Sequence, residues 1–180
     1  MKLIWRICSA KDSLWANWIR LNLLHGRSFW SPRGRSTLGS WMWQKILKYR
    51  DKAKNLFKME VHSGLGTSFW YDNWCSLGSL YEVLGARGCI DMGISSSWSV
   101  ADVLRSHVRR RHRTATLNSI EDEIDALRQR HDPTCDIPLW KCCNGSFKHK
   151  FFSRDTWYEI RESTPTCEWF KGVWFQNSTS

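Results

Sequence analysis

The chain has 180 residues, with 13 Trp, seven Cys and a formal charge of +10. That length suits one domain or two small ones, and 42% apolar with 24% charged residues excludes a disordered composition. No run is apolar enough to span a bilayer, no leader-like apolar segment follows Met1, and the cysteines lack the spacing of a secreted disulfide scaffold, so an intracellular, reducing compartment is expected.

The charge is unevenly placed. Residues 1–60 carry 13 Lys and Arg against three acids, whereas residues 114–180 carry eight against ten. The excess therefore belongs to the N-terminal third, which suggests a nucleic-acid partner (RNA or single-stranded DNA) or a membrane surface, set against the plainer reading of a solvated helical face.

In chain order, residues 2–8 are an apolar start. Ser9 and Asp12 have capping-box spacing for a helix through Leu14, Trp15, Trp18 and Ile19, which Gly26 closes. Residues 27–40, with Pro32, Gly34 and Gly39, predict a basic loop through Arg27, Arg33 and Arg35. A second helix starts near Ser40 on Trp43, Ile46 and Leu47, breaks near Tyr49–Arg50, and continues over Asp51 to Phe57. Lys45, Lys48 and Lys52 lie opposite its apolar positions. With Arg33 and Arg35 they are the candidate phosphate contacts, suited to holding a backbone without reading bases.

Lys58–Val61, the Gly64-x-Gly66 turn and the β-branched and aromatic run Thr67–Tyr71 predict a central β-hairpin. In it Trp70 and Trp74 anchor packing and Asp72 fixes the turn. Residues 77–93, with four Gly, predict a loop with a short strand at Cys89–Met92. Ser99 and Asp102 can cap a helix through Val100 and Val103, and residues 109–113 form a basic link. Leu117, Ile120, Ile124 and Leu127 mark a helix over 114–131 that Asp132-Pro133 ends. Two apolar stretches flank Asn144-Gly145 as a second hairpin, and Ser153 opens a short helix with Trp157 and Ile160. The expected architecture is α+β: a basic helical segment (1–57), the hairpin, loop and short helix (58–113), then an acidic helix, hairpin and short helix (114–180).

Chemistry-bearing patterns are sparse. His131, Cys135, Cys142, Cys143 and His149 cluster in sequence, but the spacing is not that of paired zinc ligands, and adjacent cysteines on a strand point to opposite faces. No nucleophile elbow, phosphate loop or paired carboxylate stands out, so no catalytic residue, metal or cofactor is expected. Stacking of bases on Phe69, Trp70, Tyr71 or Trp74 competes with a core role, which their density favours.

One resemblance organises these features. Lys11-Asp12-Ser13-Leu14-Trp15, then Ser28-Phe29-Trp30, Ser40-Trp41-Met42-Trp43-Gln44-Lys45, and Gly64-x-Gly66 followed by Phe69-Trp70-Tyr71-Asp72-Asn73-Trp74 resemble plant LINE-type (non-LTR) retrotransposon polyproteins, in the part after the reverse transcriptase. Phe152-Ser-Arg-Asp-Thr-Trp157 and Trp169-Phe-Lys-Gly-Val-Trp174-Phe resemble the entry to the reverse transcriptase zinc-binding region of the same polyproteins. The family's Tyr-x-Asp-Asp metal motif has no counterpart here. Its Cys-x-x-Cys zinc ligands would be expected beyond Ser180. The resemblance therefore implies a connector, partnered in a parent polyprotein by the polymerase and zinc-binding parts, with no catalytic or zinc residue to carry over.

Overall fold

Ser13 and Ser40 begin helices for the same reason. Each hydroxyl accepts from the backbone N–H three residues on, at Ala16 and Trp43, 3.4 Å in both cases. The structure, a computed structural model, describes residues 1–9, 13–31, 40–130 and 132–161. Within them run α1 (Lys2–Ser9), α2 (Leu14–Asn22), α3 (Trp41–Lys48), α4 (Arg50–Lys54), β1 (Phe57–Glu60), α5 (Leu80–Met92), α6 (Val100–Ser106), α7 (Ala115–Gln129), β2 (Ile137–Lys141), β3 (Phe147–Lys148) and α8 (Ser153–Ile160). The fold is α+β, with helices around a small antiparallel sheet of order β1-β2-β3. No helix among the described residues is long and apolar enough to cross a membrane.

The sheet corrects the expected central hairpin. β1 pairs with β2, Phe57 opposite Trp140 and Glu60 opposite Ile137, and not with Thr67–Tyr71, which forms tight turns. The free edge of β1 is taken up by Asn73: its carbonyl accepts from Met59 N–H (2.7 Å) and its side-chain amide donates to the Phe57 carbonyl (3.0 Å). The hairpin at Asn144-Gly145 does form, although β3 is only two residues long. Of its adjacent cysteines, Cys142 is buried and Cys143 exposed.

Three helix assignments change as well. Ser9 ends α1 and donates to the Trp5 carbonyl (2.7 Å), leaving Ser13 as the cap of α2; Asp12 and His131 lie outside the described residues. The α4 helix stops at Lys54 because the chain turns there into β1. Residues 80–92, expected as a loop because of their glycines, form α5. Gly85 adopts φ 65° and ψ −165° and kinks the helix. A Cβ at Gly88 would stand 2.5 Å from Leu84 Cβ and 3.2 Å from the Trp70 ring, so that glycine marks a close approach, not a break.

The core is continuous from Ile4 and Ile7 of α1, through Trp30, Trp43, Phe57 and Trp70, to Ile120 and Ile124 of α7 and Trp140 of β2. The α6 helix carries the expected capping box: Ser99 Oγ accepts from Asp102 N–H (3.2 Å) and the Asp102 carboxylate accepts from Ser99 N–H (3.0 Å). The basic link after it is fastened to α7. His107 Nε2 and His112 Nε2 each lie 3.0 Å from the buried Glu121 carboxylate, and Arg109 bridges Asp122 and Asp125.

Candidate nucleic-acid interface

The orientation of α3 follows from its two buried residues. Trp43 and Ile46 turn into the core, with the Trp43 ring 6.2 Å from Phe29. The opposite face must then point outward. It carries Trp41 (72% exposed), Lys45, Lys48 and Tyr49, and Lys52 continues it on α4. Lys45 Nζ sits 5.2 Å from the Trp41 ring centre, an arrangement that holds both groups against solvent.

Other cations nearby have structural partners. Arg50 donates to the Ser31 carbonyl (2.9 Å), and Lys54 pairs with Glu82 (2.6 Å). Lys45, Lys48 and Lys52 have no carboxylate partner among the described residues. The structure thus brings three of the five sequence-predicted contacts onto one face, interleaved with aromatics that the sequence reading did not single out. Trp41 could have been found from its i, i+4 spacing to Lys45. Arg33 and Arg35 lie outside the described residues, in the segment between Ser31 and the α3 cap Ser40.

The Gly64-x-Gly66 loop does something else. Its donors converge on one carboxylate from far along the chain: Asp136 Oδ1 accepts from His62 N–H (2.9 Å) and Gly64 N–H (2.8 Å), and Oδ2 from Gly66 N–H (3.1 Å) and the Thr67 hydroxyl (2.8 Å). Successive N–H groups in such a turn form an anion-binding concavity. Here the anion is supplied by the protein, and Asp136 is buried. Gly64 is required at φ +70°, where a Cβ would also come within 2.7 Å of Ala101 N. Nothing in the sequence marked Asp136 except its place just before β2.

Trp70 is fully buried and its indole N–H reaches the Ile94 and Ser95 carbonyls (3.2 and 3.1 Å); Trp74 donates to the Phe69 carbonyl (2.8 Å). With Phe69 also buried, these rings are anchors and cannot stack on bases. Asp72 accepts from Ser28 Oγ and from Ser68 N–H, both at 2.6 Å, and so ties the turn over residues 68–72 to the segment after α2, in place of the expected hairpin turn. Burial pushes its carboxyl up to about 6, against the pull of those two hydrogen bonds.

That shift has a measurable sign. The native state holds the Asp72 proton more tightly than the unfolded chain, whose carboxyl titrates near the ordinary 3.8. The resulting stabilisation is complete below pH ~4 and is lost as pH rises through about 6. Whatever the Asp72→Asn amide costs against its two donors at pH 4, the stability difference from wild type should therefore move in the variant's favour by up to about 3 kcal/mol between pH 4 and pH 7. Urea melts of both proteins at pH 4 and pH 7 check this, and a pH-independent difference would refute it.

Among the described residues, no group of three or more His, Cys, Asp or Glu is arranged to hold a metal ion. Cys135, Cys143 and His149 are exposed while Cys142 is buried. Comparison of the chain with protein families, with curated proteins and with solved structures finds no match.

Proposed function

We propose that this chain is a non-catalytic segment of a LINE-type reverse transcriptase polyprotein that handles RNA or single-stranded DNA beside the polymerase. The motif order from Lys11 to Trp174 supports the family, and the observation that carries the function is the outward face Trp41, Lys45, Lys48, Tyr49 and Lys52. Lysines on that face neutralise phosphates as point charges, independent of sequence. Trp41 and Tyr49, about 12 Å apart along two helical turns, offer flat surfaces for unpaired bases. Such work belongs inside the cell, in nucleus or cytoplasm.

Filter binding of a single-stranded oligonucleotide over a salt series tests this reading. The triple variant Lys45→Glu, Lys48→Glu, Lys52→Glu should bind at least tenfold more weakly and should flatten the salt dependence by about two units of slope. Trp41→Ala should weaken binding by about 1–3 kcal/mol and leave the slope unchanged. Binding that ignores both salt and the triple variant would sink the proposal.

One observation favours a second reading, a structural remnant without independent activity. The α2 helix is apolar on both sides: Ala16 and Ile19 face the core, while Leu14, Trp18 and Leu21 are exposed. A surface of that kind suits a chain built to be covered by a larger assembly. Absence of any oligonucleotide binding at low salt would select this reading.

A further inference from the structure

The orientation of α8 is fixed from inside by one residue. Thr156 is buried, its hydroxyl accepting from the Trp140 indole N–H (2.9 Å) and donating to the Phe152 carbonyl (2.8 Å). With 3.6 residues per turn, the positions opposite Thr156 are Arg154, Trp157, Tyr158 and the C-cap Arg161, at i, i+3, i+4 and i+7 of one outward stripe. Both arginines are exposed, Trp157 is 63% exposed and Tyr158 51%. A cation, two aromatic rings and a second cation thus follow one another down a face about 10 Å long.

Cations and rings are in direct contact here. The Arg154 and Arg161 guanidinium carbons lie 5.9 and 5.5 Å from the Tyr158 ring centre. In the connection from β3 to α8, the Lys148 and Lys150 ammonium nitrogens lie 5.8 and 5.6 Å from the Phe152 ring centre. Among the described residues these four cations meet rings and no carboxylate. A ring is not a conventional acceptor, so the contact orients each guanidinium and leaves its N–H fork for a bidentate anion. The acids of the same helix are committed on its flank: Glu159 accepts from Lys141 Nζ (2.9 Å), and half-buried Asp155 bonds the Cys142 thiol.

We propose that this face of α8 is a second docking surface for single-stranded nucleic acid, with phosphates on Arg154, Arg161, Lys148 and Lys150 and an unpaired base on Trp157. Charge complementarity selects a polyanion, and an exposed indole between two forked cations selects one whose phosphates alternate with flat, unpaired bases. A lipid surface fits less well, because the eight residues of α8 expose no aliphatic side chain for insertion. The surface lies on a different element from the lysines of α3 and α4, so either site can fail without the other.

Fluorescence anisotropy of a labelled single-stranded ten-mer, titrated with the full chain over a salt series, tests it. Arg154→Glu combined with Arg161→Glu should weaken binding at least tenfold and flatten the salt dependence by about 1.4 units of slope. One new charge suits the start of the helix and the other opposes its end, so the melt should stay close to that of wild type. Trp157→Ala should weaken the ten-mer about tenfold at an unchanged slope, and a duplex of the same length should not register that change. Arg154→Lys with Arg161→Lys should keep the slope and lose part of the affinity, because the charge stays and the fork goes. Loss of binding in these variants but not in the Lys45, Lys48, Lys52 triple reversal would support the α8 surface and defeat the α3 reading. Loss in the triple reversal with indifference to the α8 variants would overturn the α8 proposal and leave the α3 reading standing. Absence of ten-mer binding, or binding only to phosphatidylserine vesicles, would also overturn it.

Discussion

Asp136→Ala is expected to cost about 3–5 kcal/mol, a third or more of the stability of an ordinary domain. The reason is the number of groups stranded at once. The N–H groups of His62, Gly64 and Gly66 and the Thr67 hydroxyl all lose their acceptor, and no neighbouring group replaces it in a buried site. Asp136→Asn should do better but not well, since its amide turns two donors toward donors. Gly64→Val should be as damaging as the alanine change, because it forces a side chain into φ +70° and against Ala101 N. Gly66→Ala, whose Cβ would sit 3.6 Å from Asp136 Oδ2, should be mild. Urea denaturation of the four variants gives the ranking, and an Asp136→Ala protein within 0.5 kcal/mol of wild type would contradict the role assigned to the loop.

Trp140→Ala should be of similar size, about 3–5 kcal/mol, but by a different route. Trp140 is fully buried and touches Trp5 of α1 edge-on (5.8 Å) and Phe151 before α8 (5.4 Å), while its strand faces Phe57 of β1. Its loss leaves a cavity shared by four segments. Trp140→Phe should recover most of the stability and lose about 1–2 kcal/mol, the value of the indole hydrogen bond to Thr156 Oγ1 (2.9 Å) plus residual misfit. Thr156→Val made on top of Trp140→Phe should cost less than Thr156→Val alone in wild type, since the pair share one bond. Additive losses would show that Thr156 acts through its bond to Phe152 instead.

The helices with a clear apolar stripe were legible in the sequence. Leu117, Ile120 and Ile124 specify α7, and Trp43 with Ile46 specifies α3, because a 3.6-residue period is a local property. The caps Ser40 and Ser99 were legible for the same reason. What failed was pairing over distance. A strand such as Phe57–Glu60 carries no mark of its partner, and the nearest β-like run, Thr67–Tyr71, reads as its mate although its partner is β2. Its aromatics are there to fill the core, which a strand and a buried turn demand alike. Gly85 and Gly88 made α5 look like a loop, since a glycine that admits a neighbouring ring is written the same way as one that breaks a helix. At the candidate interface, Lys45, Lys48 and Lys52 were visible as charges. Trp41 became notable only once the opposite face was seen to be buried.

The carboxylate that closes the Gly64-x-Gly66 loop lies 69 to 74 residues downstream of the groups it holds. During translation, at about 5–20 residues per second, that loop waits roughly 3 to 15 seconds for its acceptor to emerge, and β1, whose partners in β2 lie farther on, waits slightly longer. Through that interval the Trp-rich first half has its helices but neither its sheet nor its anchor, and its apolar face has no cover. A nascent chain paused short of Asp136 should therefore be protease-sensitive and bound by chaperones, and one paused well beyond Ile160 should not.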